Sequence, residues 1–504
     1  MKRTLFLVLL FAVFFNTVFC EDRKFSADAV VKIIVNCAIA STTEPYKILK
    51  QSSKAGSGFF FNDRGYILTN YHVISDAMVV EIRMPCFSQK EFLVTIKSVY
   101  PDLDLAILEM LPEDVEWVKD QTGFLPYLAL GDSNIISIGD DVIVCGYPNC
   151  FDLKSMKADI RGFENGSLVT SAGNNPGNSG GPVIDCNGKV IGIHFRGEEK
   201  IENMAYAIPI NAVRCVLEDM FSHRILYDPF LGVRMIKGDA SLTEYYANPL
   251  PGSCYVAELC DTGIVFQAGI RKNDMIYKVD SYIVDERGRV RVPWRPNAIT
   301  IFEYISEIPQ GQSIEVTVYR SGQELSFHIC IDRTKKPKGI HRTYQGFETI
   351  DYEIFGGFVV MELSVNIAEH FKNNKFSGID KYIASRHQGK NLLIVTELFS
   401  TAPACRSHNI DYAAIIESIN GRRVTTLEEY RQAIKDNIES KYIVFDLKHT
   451  RKAAGFRSIF VLPVDTISDN EPKIAKENFY VMTPFTQSIV SILQQKSDET
   501  KKTA

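Results

Sequence analysis

The chain has 504 residues, of which 45% are hydrophobic and 23% are charged, and this composition is typical of a soluble globular protein. A chain of this length is too long for a single hydrophobic core and predicts roughly three domains. The net charge of −5 provides no overall positive field, which argues against a nucleic-acid-binding protein. Because no Cys/His spacing resembles a metal site and no phosphate-binding loop occurs, we expect neither a metal nor a cofactor.

Residues 1–20 have the layout of a secretory signal peptide. Two basic residues precede an apolar run from Leu5 to Phe15, and Val18 and Cys20 are small enough to flank a cleavage site. We therefore expect this segment to be removed and the remaining chain to be exported. An uncleaved anchor and a lipid-modified Cys20 are the alternatives, although the apolar run is short for a membrane span.

Ten cysteines follow Cys20, and their state is left open by the sequence. In an exported chain Cys145 could pair with Cys150, and Cys254 with Cys260, but spacing alone does not determine connectivity. Several of these cysteines lie in apolar runs, which is equally consistent with buried free thiols.

Short β-type runs separated by turns dominate residues 25–222. This spacing, with one helical pattern at Asn211–Phe221, predicts an antiparallel barrel or sandwich and a mainly β fold. The runs that we interpret as strands are Val30–Val35, Val79–Ile82, Phe92–Ile96, Val142–Val144 and Val190–Phe195.

A serine between glycines is the main chemical feature of this region. Residues 177–182 read Gly-Asn-Ser-Gly-Gly-Pro, and two earlier segments supply a histidine, His72, and an aspartate, Asp104, each beside an apolar run. A serine hydroxyl needs a base to become a nucleophile, and the base needs an orienting carboxylate. Ser179, His72 and Asp104 are thus a candidate catalytic triad, with Asp102 as a rival for the carboxylate.

These motifs, in this order, resemble those of the Deg (HtrA) serine proteases, which are chymotrypsin-like enzymes followed by PDZ domains. The resemblance implies two β-barrels, with His72 and Asp104 in the first, Ser179 in the second and the active site between them. It also favours Asp104 over Asp102, because the family's aspartate directly precedes the apolar run. Ser179 would attack the scissile carbonyl, with His72 as base and Asp104 orienting it.

The resemblance also places an oxyanion hole at the serine. The backbone amides of Gly177, Asn178 and Ser179 would stabilise the negative charge that develops on the carbonyl oxygen.

A substrate strand is implied at His194, Phe195 and Arg196, beside the specificity pocket. The chain departs from the family just before the serine loop, where Ser171 and Asn174 replace an acidic and an apolar residue. Substrate preference therefore stays open.

Residues 226–335 resemble a first PDZ domain. Its carboxylate-binding loop would be Phe230, Leu231, Gly232 and Val233, in which a glycine lets backbone amides face the terminal carboxylate of a peptide. We expect this loop to take peptides with apolar C-termini.

Residues 343–485 partly repeat the first PDZ-like segment at an offset of 140 between Met275–Ile276 and Ile415–Ile416. The segment Ile354–Val359 resembles the opening loop of the divergent second PDZ domain of plant and fungal Deg enzymes.

Together, the resemblance implies a serine endopeptidase for protein quality control in the cell envelope, most simply the periplasm. Unfolded or misfolded polypeptides would be its substrates, and it would assemble as a homotrimer or a multiple of trimers. Two other classes compete: a chaperone with an idle serine, favoured by the departure at Ser171 and Asn174, and a PDZ scaffold with a structural barrel. The complete triad argues against both.

Overall fold

The computed structural model describes residues 26–503 except 174, 198–203, 251–252, 375, 384–388 and 451–455, so the expected signal segment 1–20 lies outside the described residues. The chain forms two compact units. The first comprises Met1–Val35, Lys54–Ile74 and Val79–Ser222, and the second comprises Asn36–Ser53, Ser75–Met78 and His223–Ala504.

The first barrel is a closed sheet with the strand order β1-β2-β3-β6-β5-β4. Its inward side chains, such as Ile33, Phe59 and Leu108, are fully buried, as expected for strands that alternate between core and solvent. Helices α1 (Tyr71–Ile74) and α2 (Pro112–Thr122) follow β3 and β6. The strands are β1 (Val30–Ala40), β2 (Ile48–Phe60), β3 (Tyr66–Thr69), β4 (Ala77–Arg83), β5 (Phe92–Tyr100) and β6 (Leu105–Met110).

The second barrel is also closed, with the order β10-β11-β12-β9-β8-β7, and helix α3 (Ile210–Ser222) follows its last strand. Two six-stranded barrels confirm the mainly β, chymotrypsin-like prediction. The strands are β7 (Asp141–Gly146), β8 (Lys154–Glu164), β9 (Ser167–Thr170), β10 (Pro182–Ile184), β11 (Val190–Gly197) and β12 (Ala205–Pro209).

The second unit contains two further antiparallel sheets. In the first of them, β13-β14-β15-β19-β20 are neighbours, β16 pairs with β15, and β17 and β18 form a separate ribbon. Its strands are β13 (Val233–Lys237), β14 (Cys254–Leu259), β15 (Met275–Val279), β16 (Tyr282–Ile283), β17 (Arg289–Val290), β18 (Ile299–Thr300), β19 (Ser313–Arg320) and β20 (Gln323–Cys330). Its helices are α4 (Ala240–Tyr245), α5 (Ile264–Gln267) and α6 (Ile301–Ser306).

The other sheet has the order β21-β22-β23-β24-β26-β27, with β25 beside β24. Its strands are β21 (Glu353–Phe355), β22 (Phe358–Glu362), β23 (Leu393–Leu398), β24 (Ile415–Ile419), β25 (Arg422–Arg423), β26 (Tyr442–Lys448) and β27 (Arg457–Pro463). Its helices are α7 (Val365–Asn373), α8 (Asp380–Ile383), α9 (Pro403–Ser407), α10 (Leu427–Asp436), α11 (Ile467–Glu477) and α12 (Pro484–Thr503).

Helices α6 and α10 begin in the same way in these two sheets. Thr300 and Glu303 form a reciprocal capping box at α6, and Thr426 and Glu429 form one at α10. Each threonine side chain accepts the N–H of the glutamate three residues on, which satisfies a donor that the first helical turn would leave unpaired. The shared device supports the partial internal repeat seen in the sequence.

Cys145, Cys254 and Cys260 carry free thiols, so the conceivable pair Cys254/Cys260 is not bonded; the side chain of Cys150 lies outside the description. Burial raises the pKa of the Cys145 and Cys254 thiols to about 12, which keeps them protonated and unreactive. No helix among the described residues is both long and apolar enough to cross a membrane.

Candidate active site

His72 and Asp104 form a doubly bonded pair in the first barrel. The ring Nδ1 of His72 lies 2.7 Å from Oδ2 of Asp104, and the backbone N–H of His72 donates to Oδ1 at 2.9 Å. The ring bond requires a proton on Nδ1, which leaves the Nε2 lone pair of a neutral imidazole available as a base. One carboxylate thus fixes both the tautomer and the position of His72.

The backbone around Asp104 explains why this aspartate reaches the histidine. Asp104 ends the short 3₁₀ turn Pro101–Leu103 in a left-handed conformation (φ +53°), and its carbonyl accepts from the Tyr71 N–H at 3.1 Å and from Asn70 Nδ2 at 3.0 Å. These bonds hold the aspartate beside the start of α1, which carries the histidine. Asp102 is exposed within the 3₁₀ turn, so Asp104 supplies the carboxylate.

The glycine-rich loop is a tight four-residue turn. Asn178 N–H donates to the Asn175 carbonyl at 3.1 Å, and Gly177 has a φ of +100°. Proline at the second position and a positive φ at the third are typical of a type II turn. The Pro176 carbonyl accepts from the Asn149 N–H at 2.6 Å, and because the peptide is planar and trans, the Gly177 N–H points to the opposite side.

This geometry selects two of the three predicted oxyanion donors. The amides of Gly177 and Ser179 have no acceptor within the described part of the chain, whereas the Asn178 amide closes the turn by donating to the Asn175 carbonyl. The expectation for Asn178 therefore needs correcting, because its amide is already committed. Only glycine fits at position 177, since a Cβ there would lie 2.2 Å from the Tyr147 carbonyl oxygen.

The Ser179 hydroxyl donates to the backbone carbonyl of Phe195 at 3.1 Å. A hydroxyl has one proton, so this bond must be released before the proton can pass to His72. The accepting carbonyl belongs to β11, in which the substrate strand was predicted. The serine thus contacts a carbonyl of that strand.

His194, also in β11, is almost entirely buried, and its backbone pairs with the two glycines that follow the serine. Its N–H donates to the Gly181 carbonyl at 2.9 Å, and its carbonyl accepts from the Gly180 N–H at 2.8 Å. Burial, and secondarily the charge of His72, lower the pKa of His194 to about 4, so this ring stays neutral at physiological pH. The side chain of Arg196 is not among those that the structure describes.

Ser171 stands where the family pattern has an acidic residue, and in the structure it bonds to an aspartate of a neighbouring strand. Its hydroxyl donates to Asp159 Oδ1 at 2.6 Å and accepts from the Asp159 N–H at 2.9 Å. An acidic group from β8 therefore sits at this strand end although position 171 is serine. Asn174, the other residue that differs from the family pattern, is not among the described residues.

A family model for the trypsin-like peptidase domain matches residues 56–193, a span that contains His72, Asp104 and Ser179. The chain is 23% identical over 398 residues to a probable periplasmic serine endoprotease DegP-like of Marinomonas sp. (strain MWYL1), covering 77% of this chain and 75% of that protein. It is 28% identical over 315 residues to the serine protease Do-like HtrA of Bacillus subtilis (strain 168), covering 56% and 65%. The chain is a serine endopeptidase, similar to proteases named DegP-like and HtrA.

A solved structure, the HtrA-type protease AlgW with decapeptide, aligns with this protease at a TM-score of 0.47 and 22% identity, covering 62% of this chain and 97% of that one.

The protease carries a second candidate site at Phe230–Val233. The carbonyls of Phe230 and Gly232 accept from the N–H groups of Ile264 and Cys260 at 3.1 and 2.8 Å, which anchors the back of the loop. The N–H groups of Leu231 and Gly232 have no acceptor within the described segments. Because β13 is the outer strand of its sheet, a peptide could add beside it and place its carboxylate at these amides.

The corresponding segment of the last sheet is built differently. Gly356 and Gly357, with φ of +67° and +83°, form the two-residue turn between β21 and β22. The Gly356 N–H donates to Glu471 Oε1 at 2.7 Å, and Glu471 is only 1% exposed. The edge of β22 is occupied by β21, so both the edge and the amide are already filled by the chain itself.

Proposed function

We propose that this serine endopeptidase uses Ser179 as nucleophile, His72 as general base and then general acid, and Asp104 as the group that orients and charge-stabilises the imidazole. The doubly bonded His72–Asp104 pair is the observation that carries this assignment. His72 takes the serine proton as Oγ attacks the scissile carbonyl, and returns it to the leaving amine. Water then repeats the sequence on the acyl-enzyme and regenerates the hydroxyl.

The amides of Gly177 and Ser179 serve as the oxyanion hole in this proposal. Their N–H groups have no acceptor among the described residues, and the type II turn directs the Gly177 N–H away from Asn149. Donors that are fixed before reaction stabilise the developing charge without reorganisation at the moment of attack. No metal or cofactor takes part in these steps.

The substrates in this proposal are unfolded or damaged polypeptides in the cell envelope, most simply in the periplasm after export. An extended chain can reach a serine that lies against a strand, whereas a folded protein presents few extended segments. The similarity to proteases named periplasmic supports the location. Assembly into trimers or their multiples, which the Deg resemblance implies, belongs to the same proposal.

The Phe230–Val233 loop captures apolar C-termini in this proposal. Leu231 and Val233 pack against the apolar cluster that contains Ile301 and Ile305 of α6, so an apolar terminal side chain bound beside this loop would meet apolar residues. The Gly356 turn does not capture C-termini, because Glu471 and β21 fill it.

Digestion of a permanently unfolded protein by the parent chain and by Ser179→Ala tests the function. We expect cleavage by the parent and a loss of several orders of magnitude in the variant, since the hydroxyl is the attacking group. Equal cleavage by both chains would overturn the assignment. An uncleaved substrate that both chains nevertheless keep from aggregating would favour the chaperone alternative.

A further inference from the structure

Ser57 is a fully buried serine in β2 whose hydroxyl bridges two backbone groups of the second barrel. Its Oγ accepts from the Tyr147 N–H at 2.9 Å and donates to the Gly177 carbonyl at 2.6 Å. A hydroxyl that both accepts and donates without solvent access has a fixed orientation.

The backbone of Ser57 contacts the nucleophile itself. The Ser57 N–H donates to the Ser179 carbonyl at 2.8 Å, and the Ser57 carbonyl accepts from the Thr69 hydroxyl at 2.7 Å. One residue of the first barrel therefore binds the serine turn at two carbonyls, those of Gly177 and Ser179.

The Gly177 carbonyl matters because glycine is the most permissive residue in the turn. The Pro176–Gly177 peptide plane is held by the Asn149 N–H, and the following plane is held by the Ser57 hydroxyl. Without the Ser57 hydroxyl only the Asn149 bond restrains the turn at Gly177, and because glycine allows either sign of φ, the Gly177 N–H would be held less firmly at the oxyanion position.

We propose that Ser57 is a positioning residue for catalysis, whose hydroxyl holds the Gly177 carbonyl and thereby steadies the turn that presents the Gly177 and Ser179 amides to a tetrahedral intermediate. Ser57 contacts no reacting atom and acts through Gly177. The inference rests on the proposed assignment of the oxyanion hole to Gly177 and Ser179.

The variant Ser57→Ala removes the bridge with a minimal change in volume. Removing an oxyanion donor outright costs about 100- to 1,000-fold in kcat, so a donor that is present but poorly held should cost roughly 10- to 100-fold. We expect this loss in kcat with KM changed by less than about threefold, because ground-state binding does not use the oxyanion hole. The affinity for a peptide boronate, which forms a tetrahedral adduct with Ser179, should fall by the same factor as kcat.

Ser133→Ala is the matched control. Ser133 is also fully buried in the same unit, and its hydroxyl accepts the Asn211 N–H at 3.2 Å, so the same kind of bond is lost. We expect it to destabilise the protein without lowering kcat. Should Ser57→Ala fail to fold, Ser57→Cys, which keeps a weak donor, takes its place with the same readouts.

Three results would overturn the inference: a kcat of the Ser57 variant within twofold of the parent, an unchanged boronate affinity, or an equal loss in Ser133→Ala. The oxyanion hole is tested separately in the parent, which should bind the boronate far more tightly than the matched peptide carboxamide. Equal binding of those two compounds would refute the hole, whereas an unaltered Ser57 variant would refute only the positioning role.

Discussion

Two glycine turns of this protease place an amide on the outside of a tight bend, yet they leave it in opposite states. At Gly177 the turn amide has no acceptor among the described residues, and the nearby Ser179 hydroxyl contacts a strand carbonyl. At Gly356 the amide donates to the buried carboxylate of Glu471, 115 residues away. The comparison teaches that glycine sets the shape of such a turn, while a distant side chain decides whether its amide can meet a ligand.

The Phe230–Val233 loop belongs with the Gly177 turn in this respect. The amides of Leu231 and Gly232 have no acceptor among the described residues, and strand β13 lies at a sheet edge, whereas β22 is covered by β21. The catalytic turn and the first loop are thus open to a ligand, and the Gly356 turn is closed.

The largest loss of activity should come from breaking the His72–Asp104 pair. In Asp104→Asn the uncharged amide can neither hold Nδ1–H in the same way nor stabilise the imidazolium, so we expect kcat to fall by roughly 1,000- to 10,000-fold. Asp102→Asn, two residues earlier and exposed, is the control and should remain within about twofold of the parent. Steady-state kinetics on one peptide substrate measures both. A larger loss in Asp102→Asn would reverse the assignment.

A smaller effect should come from the closed turn. Burial, with an added contribution from the charge of Glu353, raises the pKa of Glu471 from 4.5 to about 7. Between pH 4.5 and about pH 7 the native state binds more protons than the unfolded state. The free energy of unfolding therefore falls as pH rises through this window, and the effect of Glu471 is constant above it. The shift corresponds to at most about 3 kcal/mol.

Glu471→Gln keeps an acceptor for Gly356 but removes the titration. Its stability relative to the parent should therefore increase by up to about 3 kcal/mol between pH 5 and pH 8. Urea unfolding of chains that also carry Ser179→Ala, which avoids self-digestion, measures this change. Glu477→Gln, an exposed position on the same helix α11, should show no such trend. A difference between parent and Glu471→Gln that is the same at both pH values would contradict the raised pKa of Glu471.

The smallest effect concerns the open PDZ-like loop. Charge-assisted hydrogen bonds contribute about 1.5–3 kcal/mol each, so an apolar-ended peptide should bind the Ser179→Ala chain roughly tenfold or more tightly than its C-terminal amide. Gly232→Ala should remove this preference, because its φ of +64° disfavours a side chain and a Cβ would lie 2.7 Å from Gly263 Cα. Gly356→Ala, at a similar φ of +67°, should leave the preference intact. The reverse pattern would exchange the roles of the two loops.

The sequence predicted those features that depend on neighbours along the chain. Short β-type runs located β1, β4, β5, β7 and β11 of the two barrels, and three local motifs located His72, Asp104 and Ser179. The choice between Asp104 and Asp102 needed the family pattern, because the left-handed backbone at Asp104 that turns its carboxylate to His72 leaves no mark in composition.

What the sequence could not predict depends on distant partners. The sequence of the glycine loop does not show that the Asn178 amide donates within the turn. Nor does the sequence show that the Ser171 hydroxyl bonds to Asp159. The closure of Gly356 by Glu471 requires a contact across 115 residues. Ser57 lies between Gly56 and Gly58 in the sequence, and its proposed role follows only from the structure, in which its hydroxyl contacts both Tyr147 and Gly177.

Covalent labelling with a peptide fluorophosphonate tests most directly whether the open turn presents an activated serine. Attack by Ser179 Oγ forms an O–P bond and expels fluoride, while His72 takes the hydroxyl proton. We predict one adduct per chain, mapped by mass spectrometry to Ser179, and a rate that falls by orders of magnitude in His72→Ala. An unlabelled Ser179 in a chain that still digests unfolded protein, or labelling that is unaffected by His72→Ala, would contradict the account.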